Sequence, residues 1–432
     1  MTPLARITRL SAAFLGSNLA RAAIGFGLSF GLGRGLGAER FGRWILCTAW
    51  ASTLTVVVDL GFGVLLTRDG ARADAEPGRL LPGALVLRLA LAIPLAAMLC
   101  GVAGRLSSDA ETIAGLRVAA LLGAAGAAYG CFSALLRSQP RWLPTVLAAE
   151  TAWLAAQLGA ALVIVRMGAG GSGGVDGTIA SLMTLAVVVQ LAQIATAAIC
   201  WRWVFGDQGR LRLPSPDGLV ALVRRALPFA ASGIVANVQT RVGPLMLGYL
   251  STPSEVGLFA AASRFGTVAR LAPQAVFAGA LPVFSHEHGR DRASAERVFV
   301  TFHRVLFAAS AAPAAGCALF AAPLLRLAYG PAFTTAVPAL LWISIGLMPL
   351  LSNSGRKVFL YASGGEASVV RWSAVALIVQ ASAGAMLIPA LGSAGAAISL
   401  AIGEAVVWWP LRRAVPRRVI ALNAEPAKFA CT

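Results

Sequence analysis

Five arginines stand where arginine is costly. Arg21, Arg88, Arg241, Arg264 and Arg270 each lie well inside a long apolar stretch. At 1.5 Å per helical residue their depth corresponds to the hydrocarbon of a bilayer. A guanidinium at that depth costs about 2.5–3.5 kcal/mol on insertion scales. The carboxylates placed as deeply are Asp59, Glu150 and Glu404. Three acids cannot neutralise five guanidiniums, so the interior they share is electropositive. A planar guanidinium fork suits bidentate capture of phosphate oxygens. Asn18 stands three residues before Arg21 and Asn237 four before Arg241, spacings that put amide and guanidinium on one helix face. Arg264 and Arg270 are six residues apart, about 120° around a helix, so one of the two points at a given axis. The competing reading of any single arginine is an ion pair joining two helices, Arg21 with Asp59 for example. Five such pairs would need more acids than there are.

Other chemistries lack their residues. His286 and His288 lie in a charged segment and His303 near the end of an apolar one, with no Ser/His/Asp grouping. The six cysteines have no CxxC or metal-ligand spacing, so neither disulfide nor metal is expected. Gly170 to Gly174 is a flexible turn without the strand and helix of a nucleotide fingerprint.

The elements that must hold these arginines follow from composition. Of 432 residues, 58% are hydrophobic and 12% charged, against about 25% charged in a soluble chain. This excludes a soluble enzyme, a disordered chain and a disulfide scaffold. Apolar stretches of spanning length fall near 11–35, 43–67, 80–103, 113–136, 144–166, 177–201, 227–250, 255–283, 298–320, 334–355, 368–390 and 393–411. The expectation is an all-α polytopic membrane protein of about 12 transmembrane helices in two six-helix lobes. The lobes are 1–204 and 227–411, with a linker at 205–226 and a basic tail at 412–432. The first stretch is too long for a signal-peptide core and reads as an uncleaved helix.

Net charge is +18, with 36 Lys+Arg. Counted from a cytoplasmic N-terminus, 23 loop cations fall on the cytoplasmic side and six opposite. That asymmetry obeys the positive-inside rule and places both termini in the cytoplasm. It also gives attraction to anionic lipid and makes nucleic-acid binding unnecessary.

The halves carry matching segments: Gly174–Ser181 before span six echoes Gly392–Ser399 before span twelve, and Leu36–Gly42 echoes Ser254–Gly257. Because six is even, both halves enter from one side, as parallel repeats about the membrane normal.

Several of these segments resemble a known family. Leu15-Gly16-Ser17-Asn18, the Leu36–Gly42 turn and Asp59-Leu60-Gly61-Phe62-Gly63 with Thr67-Arg68 resemble the first two spans of Wzx-type polysaccharide flippases. Leu227-Pro228, Glu255–Arg264 and Tyr329–Phe333 resemble their second lobe. This branch shares a superfamily (MOP) with the MATE multidrug exporters. The resemblance implies two lobes opening alternately to each face of the inner membrane. The implied cargo is an undecaprenyl-diphosphate-linked glycan for O-antigen or exopolysaccharide, its diphosphate held by cavity cations. Arg21 and Arg264 fall where such flippases place them. The partners implied are membrane lipids and polysaccharide polymerase or export machinery. No cofactor is expected. Relatives read Arg-Ile-Asp on span seven where this chain has Arg241-Val242-Gly243. Coupling to protons or sodium would therefore fall to Asp59, Glu404 or Glu150. Two readings compete: a MATE-like drug or cation antiporter, which would want an acidic cavity, and a membrane-embedded polymerase or glycosyltransferase, which would want a large outer loop.

Overall fold

The computed structural model describes residues 3–72, 75–170, 178–212, 214–269, 308, 311–362 and 366–421. All regular elements among them are helical. They divide into two compact units, Met1–Arg241 and Val242–Thr432.

The first unit begins with α1 (Pro3–Asp59), 57 residues long. At 1.5 Å per residue it is about 85 Å in length, far more than the ~30 Å of bilayer hydrocarbon. It breaks at Gly37, whose φ of 73° and ψ of 174° only glycine adopts without strain. The break falls in the turn expected between spans one and two. Before it, Gly27, Gly31 and Gly35 recur every fourth residue and lie on α5 (Leu143–Gly170). A methyl on Gly31 would stand 2.2 Å from Leu162 and one on Gly35 2.1 Å from Val165. Small residues that let backbones approach are a main device of helix association in lipid, where apolar burial supplies no drive.

After the break, α1 packs with α3 (Pro77–Leu106) and α4 (Ala110–Arg137) around Leu54, Val58, Ala92, Leu99 and Ala120. A second core joins the short α2 (Phe62–Gly70), α3, α4, α6 (Thr178–Phe205) and the start of α7 (Pro216–Leu250) through Phe62, Leu65, Leu81, Leu135, Trp201 and Leu222. The chain between α6 and α7 is laid back on this end. The Trp201 indole donates to the Gly209 carbonyl at 2.9 Å, and the Arg212 amide donates to the Gly78 carbonyl at 2.9 Å.

At the opposite end Arg43 binds Glu39, Asp109 and Glu111 at 2.7, 3.1 and 3.3 Å. Glu111 in turn accepts the Ile179 amide at the start of α6, 3.0 Å away. Asp109 caps α4 through Thr112. Burial works to raise the Asp109 carboxyl, but the two Thr112 hydrogen bonds and the Arg43 charge outweigh it and hold the group below the usual carboxylate range.

The second unit contains the end of α7, α8 (Pro253–Ala269), then α9 (Ala311–Leu319) and α10 (Ala321–Tyr329) bent by 75°. A 3₁₀ turn at Pro331–Ala336 leads to α11 (Val337–Ala362) and α12 (Glu366–Ala421). α12 breaks at Gly392 (φ 52°), and Glu255 of α8 caps the second half by accepting the Ser393 amide at 2.7 Å. Leu360, Val369, Ala376, Val407 and Leu411 form the core between α11 and α12.

Among the described residues seven helices are long and apolar enough to cross a bilayer, two of them, Gly16–Asp59 and Ala367–Arg413, at 44 and 47 residues. Each of those two is about twice the ~20 residues one crossing needs, and each breaks near its middle. Large apolar side chains such as Ile93, Met98, Val188, Ile378 and Met386 are exposed within these helices. Lipid requires such a surface, and water would penalise it. The second half of the stretch expected as span eight, with Arg270, and the first half of span nine lie outside the described residues.

Candidate functional site

A cavity of about 410 Å³ opens inside the first unit. Its charged and amide lining comprises Asp59 at the end of α1, Arg88 of α3, Arg137 at the end of α4 and Asn237 of α7.

Local sequence explains how Asp59 is held. The chain leaves α1 through two left-handed residues, Leu60 (φ 43°) and Gly61 (φ 78°), and enters α2 at once. This tight reversal lets Asp59 Oδ1 accept the Gly63 amide at 3.2 Å, capping the new helix. The Asp-Leu-Gly-Phe-Gly motif is therefore a helix-to-helix corner that turns one carboxylate towards the cavity. The same oxygen binds Arg88 Nη2 at 2.9 Å. Arg88 is only 2% exposed, and its Nη1 donates to the Cys131 sulfur at 3.6 Å. It lies over Gly130, where a methyl would stand 2.9 Å from the guanidinium.

Behind this pair is a second centre on Glu150 of α5, which is buried. Its Oε1 accepts Tyr129 Oη at 2.9 Å, Ser133 Oγ at 2.8 Å and Arg137 Nε at 3.1 Å. Its Oε2 accepts Arg21 Nη1 at 2.8 Å and Arg137 Nη2. One carboxylate thus serves two guanidiniums, and Ser133 and Arg137 carry the network into the cavity wall. Nearby, Ser17 and Thr151 hydroxyls meet at 3.4 Å, while Asn18 is exposed.

Arg241, one turn beyond Asn237 on α7, donates through Nη1 to the Ser52 hydroxyl, and its buried Nε has no partner. Among the described residues it makes no ion pair. Within the first unit, Arg21 and Arg137 share Glu150 and Arg88 takes Asp59, three guanidiniums to two carboxylates, while Arg241 binds the Ser52 hydroxyl.

The second unit has its own polar centre. Glu404 of α12 is buried, and Asn353 Nδ2 donates both to its carbonyl at 2.8 Å and to its carboxylate at 2.9 Å. One turn on, the buried Arg356 stacks on Trp408 with its guanidinium 5.1 Å from the ring centroid. Arg264 of α8 is half-buried and makes no ion pair among the described residues.

The structure does not pair Arg21 with Asp59: Arg21 binds Glu150, and Asp59 takes Arg88. The reason is register, since Asp59 sits at the α1–α2 corner facing α3 while Arg21 lies on the half of α1 that packs on α5. Of the cations included in the cytoplasmic loop count, several lie within helices, Arg137 and the buried Arg356 among them. The sequence does carry a signal for Arg137: Tyr129, Ser133 and Arg137 repeat every four residues, a polar stripe on one face of α4.

A family model described as "Polysaccharide biosynthesis protein" matches residues 8–288. No curated protein matches significantly. Among solved structures, the chain is similar to an inward-facing multidrug-resistance MATE transporter of the MOP superfamily, with a TM-score of 0.68, 15% identity, and 94% of this chain and 96% of that one covered. It is similar to an outward-facing MATE transporter at TM-score 0.59 and 17% identity, over 97% and 96% of the two chains. It is also similar to a MOP-superfamily transporter of Pyrococcus furiosus, described as having a binding pocket of reverse polarity, at TM-score 0.61 and 16% identity, again over 97% and 96%. At these identities the likeness is one of fold.

Proposed function

The chain belongs to the polysaccharide biosynthesis protein family and has the fold of the MOP-superfamily membrane transporters, and on that premise we propose that it flips a polyprenyl-diphosphate-linked oligosaccharide across the cytoplasmic membrane by alternating access. The observation that carries this reading is the polarity of the cavity in the first unit: two guanidiniums, Arg88 and Arg137, against one carboxylate, Asp59, line a space of about 410 Å³. A surplus of guanidinium suits a diphosphate. It opposes a drug cation, which would meet repulsion at every arginine.

In this reading Arg88, Arg137 and Arg241 bind diphosphate oxygens. Arg21 acts through Glu150, which it shares with Arg137. Asn18 and Asn237 meet sugar hydroxyls or orient guanidiniums, and Arg264 and Arg270 are the second lobe's own cations. Among the acids, Asp59 suits ion coupling best. It lines the cavity with its side chain 35% exposed, while Glu150 already accepts five hydrogen bonds. Twelve spans with both termini cytoplasmic complete the topology. The MATE-like structures favour a drug or cation antiporter as the second reading by fold alone.

The test is complementation of surface polysaccharide in cells lacking the chain. Arg137→Lys and Arg241→Lys keep the charge but lose the bidentate fork, and each should cut polysaccharide sharply at normal protein level. Full polysaccharide from a chain with Arg88, Arg137 and Arg241 all replaced by alanine would refute the reading.

A further inference from the structure

A second cavity, about 620 Å³, lies in the first unit between the end of α2, the start of α3 and the start of α7. It shares no lining residue with the central one. Arg72, Arg79 and Arg225 line it, with Asp69 and Glu76 as its acids. Both acids are already engaged. The buried Asp69 binds Arg225 and also Arg68 at 3.0 Å, and Glu76 binds Arg79 at 2.8 Å. Arg72 is exposed and makes no ion pair among the described residues. No acid among the described residues neutralises its charge.

Two further features fit a phosphate. The Ser215 hydroxyl lines the cavity and accepts the Gly218 amide at 3.2 Å, which leaves its hydrogen to donate. The first turn of α7, a 35-residue helix, also borders the space, so the positive end of its dipole adds to the potential there, offset in part by Asp217 in the same turn. The opposite wall is apolar, formed by Leu80 and Leu222, which belong to or pack on the buried core at this end. A charged mouth over an apolar back, at the level where apolar helix begins on both α3 and α7, is the environment of a lipid headgroup.

We propose that this cavity binds the phosphate of an anionic phospholipid headgroup, with Arg72 as the principal cation and Ser215 as a hydroxyl donor. The proposal is independent of the cargo, because Arg72 lies outside the central cavity and the readout below involves no transport. Free inorganic phosphate offers the same chemistry, so the experiment separates the two sources.

The full chain is purified in phosphatidylcholine nanodiscs doped with phosphatidylglycerol, and bound lipid is read by native mass spectrometry. One cation near an anionic surface is worth about 1 kcal/mol, or roughly five-fold in occupancy. Arg72→Ala should therefore lower phosphatidylglycerol retention about five-fold, and Ser215→Ala should lower it less. Arg202→Ala, an exposed arginine near the same end that does not line the cavity, should leave retention unchanged. Arg225 is kept, because removing it would strand buried Asp69. In phosphatidylcholine alone, inorganic phosphate at millimolar concentration is then tested for thermal protection. Arg72-dependent protection would make the free anion a ligand of the same site. Protection by phosphatidylglycerol only makes the lipid the ligand. Equal retention in Arg72→Ala and wild type, or equal loss in Arg202→Ala, overturns the proposal.

Discussion

Replacing Glu150 by glutamine keeps the shape of the side chain and removes its charge. The structure sets the size of the effect. Arg21 makes one hydrogen bond to this carboxylate and Arg137 two, while Tyr129 and Ser133 add two neutral donors. Glutamine retains an oxygen for the neutral donors but turns an amide N–H towards an arginine. Removing one partner of a fully buried ion pair costs about 3–5 kcal/mol. Here the Arg21 and Arg137 side chains are 38% and 31% exposed. Water takes up part of the freed charge, which lowers the expected loss to about 2–3 kcal/mol. At about 2 °C per kcal/mol, the figure for larger domains, the midpoint should fall by about 5 °C. Arg137→Gln, losing two bonds, should cost more than Arg21→Gln, which loses one. Both should be milder than Glu150→Gln. The assay is thermal unfolding of purified protein in detergent across the single variants and the Glu150→Gln/Arg21→Gln and Glu150→Gln/Arg137→Gln double variants. Coupling of about 0.5–3 kcal/mol within each cycle is expected of groups in one network. A Glu150→Gln midpoint within 1 °C of wild type, or additive doubles, would refute the network.

Gly392→Ala should destabilise by about 1–3 kcal/mol, because its φ of 52° is left-handed and the new methyl would stand 2.5 Å from Glu255 Oε2. Gly37→Ala, also at positive φ (73°, ψ 174°) but with nothing within 4 Å of the new methyl, should lose the backbone part alone, about 1–3 kcal/mol without a side-chain clash; the same thermal assay compares them. Gly130→Ala should push the Arg88 guanidinium off its seat and lower transport more than stability, read as polysaccharide per folded protein. Asp109 predicts a pH effect. Its folded carboxyl titrates below the usual range, so its stabilisation is complete above the unfolded value near pH 4 and fades as pH falls through the depressed one. Asp109→Asn should therefore flatten the acid limb of a stability–pH curve, and an unchanged limb would contradict the capping account.

What could be read in the chain itself was whatever has a local cause. Apolar length marked the helices, and the Gly37 and Gly392 breaks fall where short polar turns had divided the spans. Burial of Arg88, Glu150 and Glu404 followed from their depth in apolar runs. Pairing did not, because it is set by which helices touch. Arg21 and Glu150 are 129 residues apart in sequence, and only the glycine stripe on α1, which brings α5 close, decides that they meet. Arg137 was hidden for a different reason. It sits in the last turn of its helix, where charge density resembles that of a loop, and only its four-residue spacing from Ser133 and Tyr129 sets it apart. The docking of 208–212 on Gly78 was equally hidden, since proline and serine signal an open linker and say nothing of what the backbone bonds to.

The measurement that bears most directly on function is flipping in proteoliposomes. Purified chain is reconstituted with a fluorescent polyprenyl-diphosphate oligosaccharide, and its passage between leaflets is followed by quenching from one side. Wild-type protein should flip this lipid much faster than an analogue whose headgroup carries no phosphate, and replacing Arg88, Arg137 and Arg241 together by glutamine should abolish the difference. Equal rates for the charged and uncharged headgroups, or an unimpaired triple variant, would contradict the account.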